Sequence, residues 1–247
     1  MLSFLKQKPY LKDLLSKDYI DIHSHLLPGI DDGAKTIADT VQLVKAFETI
    51  GISQFITTPH MSYYIWNNSP QVICSKHNET SLLLADHGII KTFKAAAEYF
   101  MDDWFEQHFK TEKLLTLKDN YVLVEMSYIN APVQLYKILF DLQVAGYIPV
   151  LAHPERYLFY HKNFHEYHRL KKAGCLFQLN LLAVVGYYGS EITKVAEELL
   201  KKGMYNFVGS DVHHDNHIAS FSQKLKIDNT SLSTLKEVIA NNQFFKF

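Results

Sequence analysis

Short apolar runs alternate with amphipathic stretches along most of the chain. Seven runs predict strands that are buried on both faces, and they lie at 19–25, 53–60, 89–99, 121–126, 148–153, 176–182 and 206–213. Between them, apolar residues recur at three- and four-residue spacing, which is typical of helices. Four such stretches end directly before a glycine, a common signal for a helix C-terminus; they are 37–50, 135–145, 164–173 and 192–202.

A strand followed by a helix and a glycine, repeated along the chain, indicates parallel βαβ units. Seven units are too many for a short open sheet and favour closure into an α/β barrel. We expect residues 18–247 to form a single barrel domain. We expect residues 1–17 to form a leader with a short amphipathic helix that packs on the barrel. Residues 62–88 have no clear strand and predict a loop and a helix over the barrel mouth.

Polar residues interrupt the apolar runs at or just past their carboxyl ends. These residues are Asp21, His23, His25, His60, Glu98, Glu125, His153, Asp211 and His213. His23 and His25 stand two apart, so on a strand they face the same side. Active sites of parallel barrels form at the carboxyl ends of the strands. We therefore expect these side chains to converge, and Asp31 and Asp32 of the PGIDDG loop can join them.

Histidines and carboxylates gathered at one place predict a metal site. Imidazole and carboxylate suit Mn²⁺, Fe and Zn²⁺, and carboxylate alone suits Mg²⁺. Eight or nine ligands exceed what one ion needs, so we expect two or three divalent ions that share bridging carboxylates, an arrangement that serves phosphoester hydrolysis. Six further histidines do not end an apolar strand and are expected at the surface or in the core: His77, His87, His108, His161, His165 and His168.

Composition narrows the class of protein. The 247 residues include 25 Lys and Arg against 26 Asp and Glu, a near-neutral balance that argues against a nucleic-acid-binding surface. No apolar run approaches the roughly 20 residues of a membrane-spanning helix, and no signal peptide is recognisable, so we expect a cytoplasmic protein without stable membrane insertion. A cysteine-dependent phosphatase needs an Arg six positions after its catalytic Cys. Here the residue at that distance is Leu181 for Cys175 and Thr80 for Cys74, so this class of phosphatase is excluded.

Six motifs together resemble the polymerase-and-histidinol-phosphatase (PHP) superfamily, and in particular its bacterial protein-tyrosine phosphatases of capsule and exopolysaccharide synthesis. The motifs are DIHSHLLPGIDDG, ITTPH, AAAEY, LVEMS, LAHPERY and GSDVHH, over roughly residues 18–218. The resemblance implies a distorted (β/α)7 barrel with the metal site at the carboxyl ends of the strands. It further implies three ion sites, with manganese foremost: His23, His25, Glu98 and Asp211; Glu98, Glu125 and His153; and Asp32, His60 and His213.

The resemblance also implies an activity. A metal-bound hydroxide would hydrolyse phosphotyrosine, with the tyrosine-rich tail of a polysaccharide-synthesis kinase as the partner. Arg156 of HPER matches an arginine that binds substrate phosphate in the family. Related phosphatases carry a further arginine after the final DxH, where this chain has HHDNHIAS. His214 and His217 stand in that segment and are the candidates for a general acid.

Other functions stay open at this point. A PHP phosphoesterase could act on a small phosphate monoester such as histidinol phosphate. The protein could also be a catalytically weak, metal-binding regulator docked to a kinase, because it lacks the further arginine that related phosphatases carry after the final DxH. The absence of basic tracts disfavours a nuclease of the same superfamily. Amidohydrolases also begin with HxH, but the pair Glu98 and Glu125 and the DxH ending fit them poorly.

Overall fold

The strands and helices lie close to where the apolar pattern predicts them. The computed structural model describes residues 7–89 and 93–247. Its strands are β1 (Ile20–Asp21), β2 (Gln54–Thr57), β3 (His60–Met61), β4 (Lys94–Ala95), β5 (Glu98–Phe100), β6 (Tyr121–Glu125), β7 (Ile148–Ala152), β8 (Leu176–Asn180) and β9 (Phe207–Gly209). Its α-helices are α1 (Ile37–Thr49), α2 (Pro70–Asp86), α3 (Asp103–Thr111), α4 (Leu135–Val144), α5 (Phe164–Lys172), α6 (Ser190–Lys201), α7 (Asp215–Ser220) and α8 (Asn229–Asn241).

All paired strands are parallel, and their order follows the order of the chain. One sheet has the order β1-β2-β4 and the other β3-β5-β6-β7-β8-β9. β2 and β3 are two parts of one interrupted strand, as are β4 and β5, so the pairing amounts to seven strands. A parallel bridge between Ser24 and Val212 joins the first strand to the last. The predicted α/β fold with a distorted, seven-stranded parallel barrel is confirmed.

Alternation along the strands separates an apolar floor from a polar layer. One apolar cluster contains Leu123 in the middle of β6, and Leu176, the first residue of β8, packs against it. The next residues on the same face are Glu125 and Gln178, because side chains two apart share a face. Intervening residues such as Val124 belong to the larger cluster that packs against the helices. The barrel interior is therefore apolar at one end and polar at the other.

The C-terminal residues close the apolar end of the barrel. Helix α8 continues into the 3-10 helix Asn242–Phe245, and Phe245 packs into the apolar floor. The buried Asn242 side chain donates to the carbonyls of Ile20 and Val208, both at 2.8 Å, and accepts from the Val208 N–H at 3.1 Å. One amide group thus ties β1 to β9. Helix α8 lies beyond the seven predicted units, and the alternation of strands and helices does not predict it.

The segment 62–88 differs from the expectation. Backbone bonds between Ser62 and Trp66, at 2.9 and 3.0 Å, close a turn that lies near the polar end of the barrel. Helix α2 does not cover the barrel mouth; it packs against α1 and β4 as a crossover helix. It buries Ile73, Thr80 and Leu84 because these residues share one helical face.

The N-terminal residues pack on the barrel. Residues 1–6, part of the predicted leader, and 90–92, part of the predicted third strand, lie outside the described residues. Within 7–17 the structure has the 3-10 helix Leu11–Leu14, with Leu11 fully buried. The Leu11 and Lys12 N–H groups donate to the carbonyls of Gln223 and Phe221 at 3.0 and 2.9 Å. Among the described helices, none has the length and apolarity to cross a bilayer.

Candidate metal centre

The strands bring all nine proposed ligands to the polar end of the barrel. His23 and His25 follow β1, Glu125 ends β6, and His153 directly follows β7. His60 and Glu98 begin the second parts of two interrupted strands, where they are register partners. Since the strands are parallel, these positions meet at one end of the barrel. The full set is His23, His25, Asp32, His60, Glu98, Glu125, His153, Asp211 and His213.

The most deeply buried group contains His23, His25, Glu98 and Asp211, whose ligand atoms lie within 4.8 Å of one another. Nε2 of His23 lies 3.1 Å from Glu98 Oε2 and 3.2 Å from Asp211 Oδ1. Nε2 of His25 lies 3.5 and 3.3 Å from the same two oxygens. Two imidazoles and two carboxylates that point inward from three chain segments are a suitable donor set for a divalent ion. The grouping agrees with the first ion site that the resemblance implies.

Glu98 provides the test of whether these residues fit a cation. The residue is fully buried, and neither of its carboxylate oxygens has a hydrogen-bond partner among the described residues. Its oxygens instead face imidazole nitrogens of His23, His60 and His153 at 3.1 to 3.2 Å. Burying an ionised carboxylate is costly unless it is paired or coordinates a metal. The position and chemistry of Glu98 therefore fit a carboxylate that bridges divalent ions.

A second group lies nearer the surface. Asp32 Oδ1 lies 3.4 Å from Nε2 of His60 and 3.4 Å from Nε2 of His213. The other nitrogen of His60, Nδ1, lies 2.9 Å from Glu125 Oε1. The ligand atoms of His60, Glu98 and Glu125 consequently form a third group. The resemblance instead combines these two glutamates with His153, which contacts Glu98 at 3.2 Å.

Two of the proposed ligands adopt strained backbone conformations. His153 has φ +36° and Asp211 has φ +52°, in the left-handed region that residues with a Cβ rarely adopt. Such conformations cost on the order of 1–3 kcal/mol each and cluster at functional sites. At His153 the strain lets the chain turn from β7 into the 3-10 helix Pro154–Arg156. The same turn therefore places an imidazole and a guanidinium at the site.

Arg156 lies between two aromatic rings and one carboxylate. Its Nη1 donates to Asp211 Oδ2 at 2.6 Å. Its guanidinium lies 4.7 Å from the centre of the Tyr128 ring and 4.4 Å from that of Tyr188. Such cation–π contacts restrict the guanidinium to one plane. Arg156 is therefore held at the edge of the candidate metal centre.

The charges of the cluster shift the pKa values of its members. Burial disfavours the charged form of His23, but Glu98 and Asp211 outweigh it and raise the pKa of His23 to about 10. In return, the histidines lower the pKa values of both carboxyls against the effect of burial. His153 differs, because burial and the charge of Arg156 lower its pKa. A cation that binds here has to displace protons from the imidazoles.

Two polar residues orient ligands, a role that the sequence did not reveal. His23 Nδ1 donates to Gln178 Oε1 at 2.8 Å, and His25 Nδ1 donates to Asp31 Oδ2 at 2.8 Å. Each bond directs the Nε2 of its imidazole toward the carboxylates, as is usual for metal-binding histidines. The sequence contained a signal for Gln178, because this polar residue interrupts an apolar strand just as the proposed ligands do. Asp31 and Asp32 thus have different positions: one faces His25, and the other faces His60 and His213.

Asp21 interrupts its strand for a structural reason. Its carboxylate accepts from the Ser210 backbone N–H at 2.8 Å and from the Ser210 hydroxyl at 2.6 Å. Burial raises the pKa of Asp21 to about 6, although both bonds oppose that shift. Asp21 therefore ties the start of the barrel to its end. It lies outside the three ligand groups.

The two histidines proposed as acids have different surroundings. His217 is buried, and its Nδ1 accepts the backbone N–H of His213 at 3.1 Å. Burial, together with the charge of His214, lowers the pKa of His217 to about 3. His217 is therefore a neutral imidazole that supports the backbone of His213. His214 is exposed and lines a cavity that Asp32 and His213 also border.

Comparison with known protein families gives a match over most of the chain. A family model described as capsular polysaccharide synthesis, CpsB/CapC, matches residues 19–225. The tyrosine-protein phosphatase YwqE of Bacillus subtilis is 31% identical over 196 residues, which cover 79% of this chain and 77% of that protein. The putative tyrosine-protein phosphatase CapC of Staphylococcus aureus is 27% identical over 199 residues, which cover 78% and 76%.

Solved structures share the fold. One from a study of YwqE from Bacillus subtilis and CpsB from Streptococcus pneumoniae, described as unique metal-dependent tyrosine phosphatases, superposes with a TM-score of 0.76 at 28% identity. The superposition covers 88% of this chain and 86% of the other. An amidohydrolase from Mycoplasma synoviae has a TM-score of 0.53 at 11% identity, over 97% and 92% of the two chains, which shows a common fold alone.

Proposed function

The chain belongs to the CpsB/CapC family of capsular polysaccharide synthesis, and on that premise we propose that it is a metal-dependent protein-tyrosine phosphatase. The observation that carries the proposal is the cluster of five histidines and four carboxylates around the buried Glu98, with Arg156 at its edge. Relatives that are named tyrosine-protein phosphatases, and a superposable structure described as metal-dependent, support the proposal.

We assign the nine converging residues to two or three divalent ions, manganese foremost, with iron, zinc or magnesium as alternatives. When bound, such ions neutralise phosphate charge and lower the pKa of a coordinated water. Glu98 would be the ligand that two ions share, because its Oε2 faces His23 and His60 and its Oε1 faces His153. Gln178 and Asp31 accept from Nδ1 of His23 and His25, which would leave the Nε2 of each imidazole free to bind an ion.

Arg156 binds the substrate phosphate in this proposal. A guanidinium can donate to two phosphate oxygens at once. The other arginine of the chain, Arg169, lies on α5 and pairs with Glu166 at 2.8 Å, so it does not serve the site. Tyr128 and Tyr188 keep the Arg156 guanidinium from turning away. We expect the loss of this one residue to be costly.

The leaving group needs little assistance. The phenol of tyrosine has a pKa of about 10, so phenoxide departs more readily than an alkoxide. His214 is our candidate for delivering a proton, since it is exposed beside Asp32 and His213. We assign His217 a positioning role, because its ring already accepts the backbone N–H of His213.

We further propose that the substrate is the tyrosine-rich tail of a polysaccharide-synthesis kinase and that the protein acts in the cytoplasm. The role in capsular polysaccharide synthesis after which the family is described supports this assignment. A tail is a flexible segment, so its tyrosines can reach a site at the end of a barrel.

Three substrates test the function. We expect protein with added Mn²⁺ to hydrolyse a phosphotyrosine peptide and to leave histidinol phosphate and a phosphodiester largely unreacted. Arg156→Ala should lower kcat/KM for the peptide about 10- to 100-fold, whereas Arg169→Ala should leave it unchanged. Turnover of histidinol phosphate alone would contradict the phosphatase proposal in favour of a small-molecule esterase. Bound metal without any turnover would indicate a regulator.

A further inference from the structure

Exposed apolar side chains are concentrated beside the candidate metal centre. In the described part of the chain, six of the thirteen exposed large hydrophobic residues belong to two short segments, 62–66 and 126–133. These six are Tyr63, Tyr64, Ile65, Tyr128, Ile129 and Val133. Concentrated exposed apolar surface marks a binding site more often than scattered single residues do. Both segments follow strands that carry candidate ligands, His60 in β3 and Glu125 in β6.

A cavity of about 300 Å³, the inner cavity, opens between the two segments. His60 and Glu125 line it on the side of the candidate ions, and Ile65, Trp66, Tyr128 and Ile129 line it as apolar walls. Ile65 is 66% exposed and Ile129 is 85% exposed, although both are large aliphatic residues. The inner cavity is therefore continuous with the candidate metal centre and apolar where it meets solvent.

Hydrogen bonds and ring contacts hold both walls in place. Backbone bonds between Ser62 and Trp66 close the first segment, and Asn68 Nδ2 donates to the His60 carbonyl at 2.8 Å. In the second segment the Met126 N–H donates to the hydroxyl of Tyr157 at 3.0 Å. A wall that is already formed loses little conformational entropy when a ligand binds.

Aromatic contacts connect the second wall to the phosphate-binding arginine. The Tyr128 ring stacks on His153 with 5.8 Å between ring centres and lies 4.7 Å from the Arg156 guanidinium. A group held against Tyr128 in the inner cavity therefore lies close to both a candidate metal ligand and the candidate phosphate ligand.

A second cavity of about 410 Å³, the outer cavity, adjoins the inner one and shares Phe100 and Ser127 with it. Tyr64 and Val133 provide apolar lining, and Asn130 and Gln134 provide side-chain amides. Val133 is fully exposed. Amides beside apolar surface suit a peptide, whose backbone needs hydrogen-bond partners and whose side chains need contact surface. A small phosphate ester would leave the outer cavity empty.

We propose that the inner cavity holds the phenyl ring of phosphotyrosine between Ile65 and Ile129, and that the outer cavity takes a neighbouring residue of the same extended peptide. This inference rests on the proposed function and names the residues that set its specificity. Apolar walls favour a phenyl group over the short alkyl side chain of phosphoserine, because the ring buries more apolar area. Ile65 and Ile129 thus select the aryl phosphate, and Val133 selects a peptide over the free amino acid.

Kinetics of serine variants test the inner cavity. Ile129→Ser and Ile65→Ser should each raise KM for a phosphotyrosine peptide about tenfold with little change in kcat. Neither should change kcat/KM for the matched phosphoserine peptide. Leu82→Ser on α2 is the control, since Leu82 is 71% exposed and lines neither cavity. An unchanged KM in both isoleucine variants, or equal losses on both peptides, would overturn the proposal.

Val133→Ser tests the outer cavity. It should raise KM for the phosphotyrosine peptide several-fold and leave KM for free phosphotyrosine unchanged. An equal effect on both substrates would contradict the assignment of the outer cavity.

A binding measurement separates this inference from the proposed function. A peptide with a non-hydrolysable phosphonate in place of the phosphate should bind the wild-type protein with Mn²⁺, and Ile129→Ser should weaken it about tenfold. If the wild-type protein binds this peptide but hydrolyses no phosphotyrosine, the catalytic proposal fails and the cavity assignment stands. If hydrolysis occurs and Ile129→Ser binds as tightly as wild type, the cavity assignment fails alone.

Discussion

Single residues around the candidate metal centre divide into proposed ligands and residues that orient those ligands. Gln178 is not one of the proposed ligands, but its Oε1 accepts from Nδ1 of His23 at 2.8 Å. This bond orients the Nε2 of His23 toward Glu98. Asp31 performs the same task for His25. Such orienting partners commonly account for a large part of metal affinity, because a freely rotating imidazole must be ordered when the ion binds.

Gln178→Leu should weaken metal binding about 10- to 100-fold, since His23 would lose the acceptor that fixes its tautomer and its ring. Titration of the apoprotein with Mn²⁺ measures the change. Gln143→Leu is the matched control, because Gln143 on α4 donates to the carbonyls of Leu139 and of Ala173 at the end of α5, and it lines a different cavity. Equal metal affinity in the Gln178 variant and the wild-type protein would remove Gln178 from the site.

Individual strands and helices fix the distances between the ligands. β9 approaches the first strand so closely at Gly209 that an added Cβ would lie 2.6 Å from the Cβ of His23 and 2.7 Å from Nε2 of Gln178. Gly33 allows a comparable approach to His25, at 2.4 Å from its Cβ. Both inner histidines are therefore backed by a glycine on a neighbouring segment.

Gly209→Ala should destabilise the fold by about 1–3 kcal/mol through overpacking and should also weaken metal binding, because it displaces His23 and Gln178. Urea denaturation and Mn²⁺ titration measure the two effects. Gly51→Ala provides the comparison, since Gly51 has φ +90° but open space where a Cβ would be added. That variant should lose stability and keep its metal affinity. Normal metal affinity in Gly209→Ala would show that the close approach does not position His23.

Helix α8 should depend on its N-cap residue. Asp228 accepts the Ser231 N–H at 2.8 Å and pairs with Lys201 at 2.9 Å. Asp228→Ala should cost about 1 kcal/mol in urea denaturation and leave phosphatase activity unchanged. If folded Asp228→Ala protein lost phosphatase activity, the N-cap of α8 would not be independent of the candidate metal centre.

The same aspartate should contribute to the pH dependence of stability. The Ser231 N–H, and then Lys201, hold the pKa of Asp228 well below its usual value. Its contribution is therefore present above the unfolded pKa of about 3.9 and is lost as the pH falls through the lower folded value. The difference in unfolding free energy between wild type and Asp228→Asn should shrink on acidification. If this difference stayed constant from pH 6 to pH 2, Asp228 would not contribute to the pH dependence of stability.

At the scale of the whole molecule, the metal centre and the barrel closure share residues. The bridge between Ser24 and Val212 lies beside His23, His25, Asp211 and His213. Ions that bind to these residues, as we propose, would therefore hold the first strand against the last. Ligand binding to the folded state alone stabilises it by mass action, by about 2.7 kcal/mol at a hundredfold excess over Kd.

Chelation should accordingly lower Tm by about 5 to 10 °C in a chain of this size, and added Mn²⁺ should restore it. Thermal unfolding with and without EDTA measures the shift. Glu98→Gln is the comparison, because it removes the bridging charge and should abolish the response to Mn²⁺. Identical Tm values for the wild-type protein in EDTA and in Mn²⁺ would refute the assignment of the cluster to metal.

The sequence by itself indicated the parallel alternation of strands and helices, the positions of four helices and the residues at the carboxyl ends of the strands. It could do so because strand and helix periodicities are local, and because parallel strands necessarily gather their carboxyl ends. The residues alone left Asp31 and Asp32 as alternatives, and only the family resemblance favoured Asp32, which in the structure faces His60 and His213.

Only the tertiary structure decided which atoms meet. The pairing of Gln178 with His23, the closure by Asn242 and the aromatic contacts of Arg156 join residues from distant parts of the chain. No local pattern encodes such pairs. The same holds for the inner and outer cavities, since folding alone places the segments 62–66 and 126–133 side by side.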